Sequence, residues 1–386
     1  MKSIVTKCSM FKSSSVFTHA LAALGLCINV QAEILSATLD SGYDSNPFQF
    51  SEAHLIEGAS YFDSRVKYRQ RFGTGFYLIS NLRNSFYLGD AEDAGETKFN
   101  FGGGLKNKFK LFGLKTKYKF EARYYLTDRT YVSKITGQIA TFSGQPIEDR
   151  YDASWLNFNA STQIRFNKTF SFGLDASSRD KSYQSYESLG LSNLDYSQSF
   201  LNADFIYNTD DKNRFTISTE TGTRTYNSRI AKQFDGTDII GSNLEYDYQK
   251  VGFVFRNKQG KYTWQLGFKS ELREDNGGGF YNIVKNRAFA KSKYKRKSGS
   301  FVSGKITYYD NNFDNTSPSG IAVLDEDLRA KEGFAIEIEY NRHLIDFGYE
   351  EAFLHLKFSH EDFDNADPFY IYDQTKFQLG IKWDFY

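Results

Sequence analysis

His355 and Ser359 are the nearest approach in this chain to a base and a nucleophile on one surface. Both fall on one face of an extended segment, with Lys357 between them. Four residues of strand separate them by roughly 13 Å, too far for the hydrogen bond that activates a serine. His54 and His360 lie in expected loops and His343 in an expected turn. No grouping of His, Cys, Asp and Glu has metal-ligand spacing, and neither a phosphate-binding loop nor a nucleic-acid motif occurs. Gly102-Gly-Gly104 sits within an expected strand, where it makes room for a neighbour's side chain. These residue types point away from an enzyme, a metal centre, a cofactor and a nucleic-acid partner.

Positive charge at alternate positions is the stronger signal. Arg65, Lys67 and Arg69 share one face of a segment, and Arg83 and Lys98 follow on the next two. Lys106, Lys108 and Lys110 continue the pattern, then Lys115, Lys117, Lys119 and Arg123. A second group comprises Lys269, Arg273, Lys285, Arg287, Lys291, Lys293 and Lys305. Carboxylates at equivalent positions, such as Asp63, Glu121, Glu271, Glu337 and Glu339, are fewer. Cations repeated on the polar faces of neighbouring strands form a basic wall, which favours anions if it lines a pore. The competing reading is that any polar interior needs charge, much of it paired across strands.

Those faces exist only if the segments are strands. Leu114, Thr116, Tyr118, Phe120, Ala122 and Tyr124 alternate with Lys115, Lys117, Lys119, Glu121 and Arg123. Phe334, Ile336, Ile338 and Tyr340 likewise oppose Glu337 and Glu339. A period of two means a strand with one apolar and one polar face. About sixteen such segments, each about ten residues long, begin near residues 34, 58, 75, 97, 114, 154, 169, 198, 213, 244, 261, 280, 300, 333, 349 and 369. Tight turns such as Phe72–Gly75 and Leu111–Gly113 alternate with longer connections such as Thr127–Asp152, Asn227–Asn243 and Asp310–Glu332. Segment 244–257 changes face near Gln249, which predicts a bulge, and alternation over 280–294 is weak.

One all-β architecture satisfies these patterns: a single transmembrane antiparallel up-and-down β-barrel of about sixteen strands. Apolar faces then meet lipid and polar faces line the lumen. The reverse orientation would bury several lysines in hydrocarbon at about 2–4 kcal/mol each near the midplane. The 37 Phe and 27 Tyr supply aromatic girdles, while a mean hydropathy of −0.55 excludes helical spans. Residues 1–32 read as a secretory signal peptide: Lys2, Lys7 and Lys12 precede the apolar run Val16–Val30, and Val30-Gln-Ala32 makes the cleavage site. Residues 33–386 are the barrel. Cys8 and Cys27 lie in the removed segment, so the mature chain has no disulfide. The Thr127–Asp152 and Asp310–Glu332 loops are expected to fold inward as constrictions. Acidic loop residues (Asp90, Glu92 and Asp93; Asp325, Glu326 and Asp327; Glu361, Asp362, Asp364 and Asp367) are either solvated or hold divalent cations that bridge lipopolysaccharide.

Both ends of the barrel region carry resemblances. Phe377 to Phe385 alternates to the chain end, and Gln378, Gly380, Trp383 and Phe385 resemble the C-terminal signal read by the machinery that inserts Gram-negative outer-membrane barrels. Tyr386 extends one residue past the usual final aromatic. At the other end, Gly42-Tyr-Asp-Ser-Asn46 is similar to the start of β-barrel porins encoded near exopolysaccharide genes. It also resembles the barrel of surface-lipoprotein assembly modifiers, although no helical-repeat domain leads into it here. The resemblance implies an outer-membrane, porin-like channel for small hydrophilic solutes, and the basic wall adds the expectation that these are anionic. Its alternative is a barrel for exopolysaccharide export or lipoprotein assembly. The partners implied are outer-membrane lipid and lipopolysaccharide, the barrel-assembly machinery and an exopolysaccharide export system.

Overall fold

A computed structural model describes residues 34–51, 58–73, 75–133, 138–296, 298–316, 330–365 and 371–385. The signal-peptide reading, His54, Asp325, Glu326, Asp327, Asp367 and Tyr386 lie outside the described residues.

The first five strands are β1 (Ile34–Asp44), β2 (Ala59–Phe72), β3 (Phe76–Tyr87), β4 (Glu96–Leu111) and β5 (Leu114–Arg129). A small hairpin follows, β6 (Thr141–Phe142) with β7 (Gln145–Pro146). Then come β8 (Ala153–Arg165), β9 (Phe170–Tyr183), β10 (Tyr196–Asn208), β11 (Asn213–Lys232), β12 (Asp238–Gln259) and β13 (Tyr262–Asp275). The last are β14 (Ile283–Lys295), β15 (Phe301–Phe313), β16 (Ala330–His343), β17 (Ala352–Asn365) and β18 (Tyr372–Phe385). All except the small hairpin form one closed antiparallel barrel, in which β5 pairs with β8 and β18 closes on β1. That is the expected sixteen strands. Closure removes the free edges that would leave backbone groups unpaired in hydrocarbon.

The pleat sorts the side chains as alternation predicts. Leu39, Phe62, Phe120, Phe158, Phe205 and Ile338 point outward and are exposed, while Asp40, Asp63 and Tyr61 point inward and are buried. An exposed apolar belt around a whole barrel is far larger than a water-soluble surface carries. The connection between β4 and β5 shows how one side is kept short. Phe112 and Gly113 both take positive φ (50° and 81°), the backbone of a two-residue hairpin turn.

Three expectations need correction. No bulge occurs at Gln249: β12 pairs without a break from Glu245 to Asn257 with β11, and the register shifts lie in β11 between Thr225 and Lys232. The change of face arises because this part of the strand turns Tyr246 and Tyr248 inward, where they are buried. Second, Asn227–Asn243 is mostly strand, since β11 and β12 run on for 20 and 22 residues. Third, Glu361, Asp362 and Asp364 belong to β17, not to a loop.

The weak alternation over 280–294 also has a cause. Phe289 points inward and lies over Gly267 of β13, leaving only Ala288 and Ala290 on the neighbouring outward positions.

Candidate functional site: the lumenal wall

The register brings every one of the predicted basic residues to the lumenal face, but it treats them differently. Arg83 is 2.6 Å from Asp63, and Arg123 and Lys119 flank Glu121 at 2.8 and 3.1 Å. Lys98 pairs with Glu96. Arg65 donates to Asn81, while Lys67, Lys269 and Arg287 line lumenal cavities. Arg69 lies over the ring of Tyr77, and Arg273 lies over that of Tyr246. Glycines 102 and 104 act as expected. A Cβ on either would meet Arg123 or Tyr77, and Tyr77 donates to Glu121 at 2.7 Å.

Toward the short turn that joins β4 and β5, pairing with acids stops. Lys106 stands opposite Lys119, Lys108 opposite Lys117 and Lys110 opposite Lys115. Arg165 of β8 stands beside Lys115. Like charges directly opposite each other are destabilising, with Cβ atoms about 4.5–5.5 Å apart. Among the described residues, Lys106, Lys108, Lys110, Lys115 and Lys117 form no ion pair. Four of these lysines line a cavity of about 990 Å³ that also includes Asp210. That carboxylate is committed to its own turn. It accepts from the backbone N–H of Asn213 and Lys212 at 2.6 and 2.7 Å, which hold it below the usual carboxylate range.

On the opposite wall, from β14 round to β3, acids stand beside part of the basic charge. Lys305 and Lys357 share Glu337, at 2.8 and 3.7 Å. His355 lies 3.1 Å from Asp40 and 3.5 Å from Glu339. Ser359 stands opposite Glu337 on β16, so histidine and serine face different partners.

The segment after β1 reaches into the mouth on the long-loop side. Asp44 is fully buried and accepts from Tyr87 Oη, Gln374 Nε2 and the Asn46 backbone N–H. Lys376 lies 2.8 Å away from it. Asn46 in turn donates to the carbonyls of Phe50 and Asp373, folding Phe50 into the interior. The Gly-Tyr-Asp-Ser-Asn stretch is therefore a lock at the seam. The Thr127–Asp152 loop, expected to constrict, continues β5 to Arg129. It then bonds to its neighbour through Tyr186 and Ser192. Most of Asp310–Glu332 lies outside the described residues.

One cluster escaped the sequence reading. Tyr196, Tyr226, Leu244, Tyr246 and Tyr248 bury one another inside the barrel, with Tyr183, Phe200 and Tyr281 against them. The available signal was aromatic residues at positions whose parity matched Glu220 and Lys250.

No protein-family profile matches the chain, and no curated protein matches it in sequence. Among solved structures, the chain is similar to OccAB3 of Acinetobacter baumannii. The identity is 12% and the TM-score 0.48, over 91% of this chain and 98% of that one. It is similar to OccAB1 of the same organism at 11% identity and a TM-score of 0.46, over 92% and 99%. A third likeness is to Pseudomonas aeruginosa OccK2 (OpdF), solved in complex with glucuronate, at 10% identity and a TM-score of 0.44, over 92% and 99%. These likenesses lie in the barrel alone and bear on neither substrate nor activity.

Proposed function

We propose that this protein is a porin-like channel of a Gram-negative outer membrane that passes small hydrophilic solutes and prefers anions. The observation that carries this reading is the run of three lysine pairs, Lys106/Lys119, Lys108/Lys117 and Lys110/Lys115, on adjoining lumenal rungs, of which Lys119 alone has an acid, Glu121, beside it. On a low-dielectric wall, uncompensated positive charge raises the local concentration of anions, and salt screens the effect over about 10 Å at 0.1 M. The short turns at this end place the lysines at the periplasmic mouth. That vestibule therefore contributes more to selectivity than mid-lumen, where Glu121, Glu271 and Glu337 offset the cations.

The test is reconstitution of the purified protein in planar bilayers. The current should favour anions, and the preference should weaken as salt rises. Replacing Lys106, Lys117 and Lys119 with Glu should move the reversal potential toward cations. Cation selectivity of the unaltered channel would sink the proposal. A complete absence of conductance would favour an export or assembly barrel instead.

A further inference from the structure

At the mouth on the long-loop side, β5 and β8 to β13 carry a wall of a different kind. Cross-strand register sets its residues in rows. One row reads Trp155, Lys181, Tyr196 and Tyr226, and the next reads Asn157, Arg179, Gln198, Arg224 and Tyr246. Cations and rings interleave. Lys181 Nζ lies 4.8 Å from the Trp155 ring and 4.5 Å from that of Tyr183. Arg224 lies 4.5 Å from the Tyr196 ring and Arg229 4.9 Å from that of Tyr281. Tyr125 and Trp155 stack at 4.8 Å with 2° between their planes, both only half-buried.

The charge on this wall is uncompensated. Among the described residues, Arg179, Lys181, Arg224 and Arg229 form no ion pair with a carboxylate. Arg179 Nε is buried without a hydrogen-bond partner. Arg224 instead donates to the neutral amide of Gln198 at 3.0 Å. Unlike the bare lysines at the other mouth, these cations stand among aromatic rings. Ring faces and neutral oxygens, including the Tyr226 hydroxyl beside Arg224, hold these cations without neutralising them. A bound anion would supply the charge that this wall lacks.

Its shape follows from the extent of the wall. Strands lie about 4.8 Å apart, so the cations from β9 to β11 span about 10 Å and the stacked pair on β5 and β8 extends the surface further. A small ion would meet one or two cations and no ring. A chain of pyranose rings bearing carboxylate, sulfate or phosphate groups offers flat C–H faces to Trp155 and Tyr125 and oxygens to the guanidinium groups. We infer that this wall is a binding surface for an anionic oligosaccharide. The inference deepens the channel reading and rests on it for the ligand's access to the lumen. The same chemistry serves a saccharide leaving the cell or one entering it.

Two readouts separate this inference from the channel reading. In bilayers, oligogalacturonate of about five residues should interrupt the current at a concentration at least tenfold below that needed for maltopentaose or monomeric galacturonate. Arg179→Gln with Arg224→Gln, or Trp155→Phe, should shorten the interruptions at least tenfold while unblocked conductance stays near its original value. Adding the oligomer from each side in turn shows from which side the surface is reached. In detergent, with Trp264 and Trp383 replaced by Phe, oligogalacturonate should alter the emission of Trp155 whether or not the barrel conducts. Emission change without conductance would overturn the channel and keep the surface. Conductance with neither block nor emission change would overturn the surface and keep the channel. Equal block by inorganic polyphosphate and oligogalacturonate would overturn the saccharide assignment, and block unchanged by the substitutions would overturn its location.

Discussion

His355 Nδ1 lies 3.1 Å from Asp40 Oδ1, and the two meet across Gly380 at the seam where the last strand joins the first. A Cβ at position 380 would stand 2.0 Å from Asp40 Oδ1 and 2.2 Å from the Leu39 carbonyl oxygen. Gly380 belongs to the stretch that resembles an insertion signal, yet it has its own reason in this barrel. It lets side chains of β17 and β1 touch over the strand between them. Gly380→Ala should therefore destabilise the closed barrel by about 1–3 kcal/mol, the usual cost of overpacking. Urea unfolding followed by heat-modifiable gel migration measures this, and an unshifted midpoint would remove the argument.

The seam also admits a direct test of register. Thr38 and Lys382 are paired across β1 and β18 on the lumenal face. The sequence has two cysteines, Cys8 and Cys27, both before the first strand. With both changed to Ser, the double variant Thr38→Cys, Lys382→Cys should form a disulfide in the folded barrel, because antiparallel neighbours lie within the bridging distance of about 4.4–6.8 Å between Cα atoms. Failure to oxidise in folded protein would mean that the ends do not meet in this register.

Asp44 should hold the first loop in the mouth. Removing its carboxylate strands the buried Tyr87 hydroxyl, at about 1–3 kcal/mol, and takes one partner each from Gln374, which keeps the Asn46 carbonyl, and from the half-exposed Lys376. Hydrogen exchange of residues 45–51 in Asp44→Ala should become much faster than in the parent, while the barrel strands keep their protection. Unchanged exchange would show that Asn46 holds the loop unaided.

Selectivity should follow unpaired rather than total charge. Lys108→Gln with Lys117→Gln should reduce both the anion preference and its dependence on salt. Replacing Lys98 and Glu96 together with Gln removes an ion pair of zero net charge and should leave the reversal potential within error of the parent. If the second variant shifts selectivity as much as the first, the periplasmic vestibule is not where anions are chosen.

Alternation, together with the rhythm of short and long connections, determined about sixteen strands and, outside stretches such as 244–249 and 280–294, which face meets the lumen. It succeeded because side-chain direction in a strand is local, and lysines placed in hydrocarbon would be too costly to tolerate. The positions of Lys106, Lys117 and Phe120 followed from that rule without any knowledge of neighbours. What the tertiary structure decided is who stands beside whom. Arg83 has Asp63 and Lys108 has Lys117 because cross-strand register joined them, and a shift of one residue would have exchanged those partners. His355 and Asp40 are 315 residues apart and meet only because the barrel closes. The tyrosines of β12 turn inward where the strand runs on past the apolar belt. The alternation rule assumes lipid outside, and beyond the belt that assumption no longer holds.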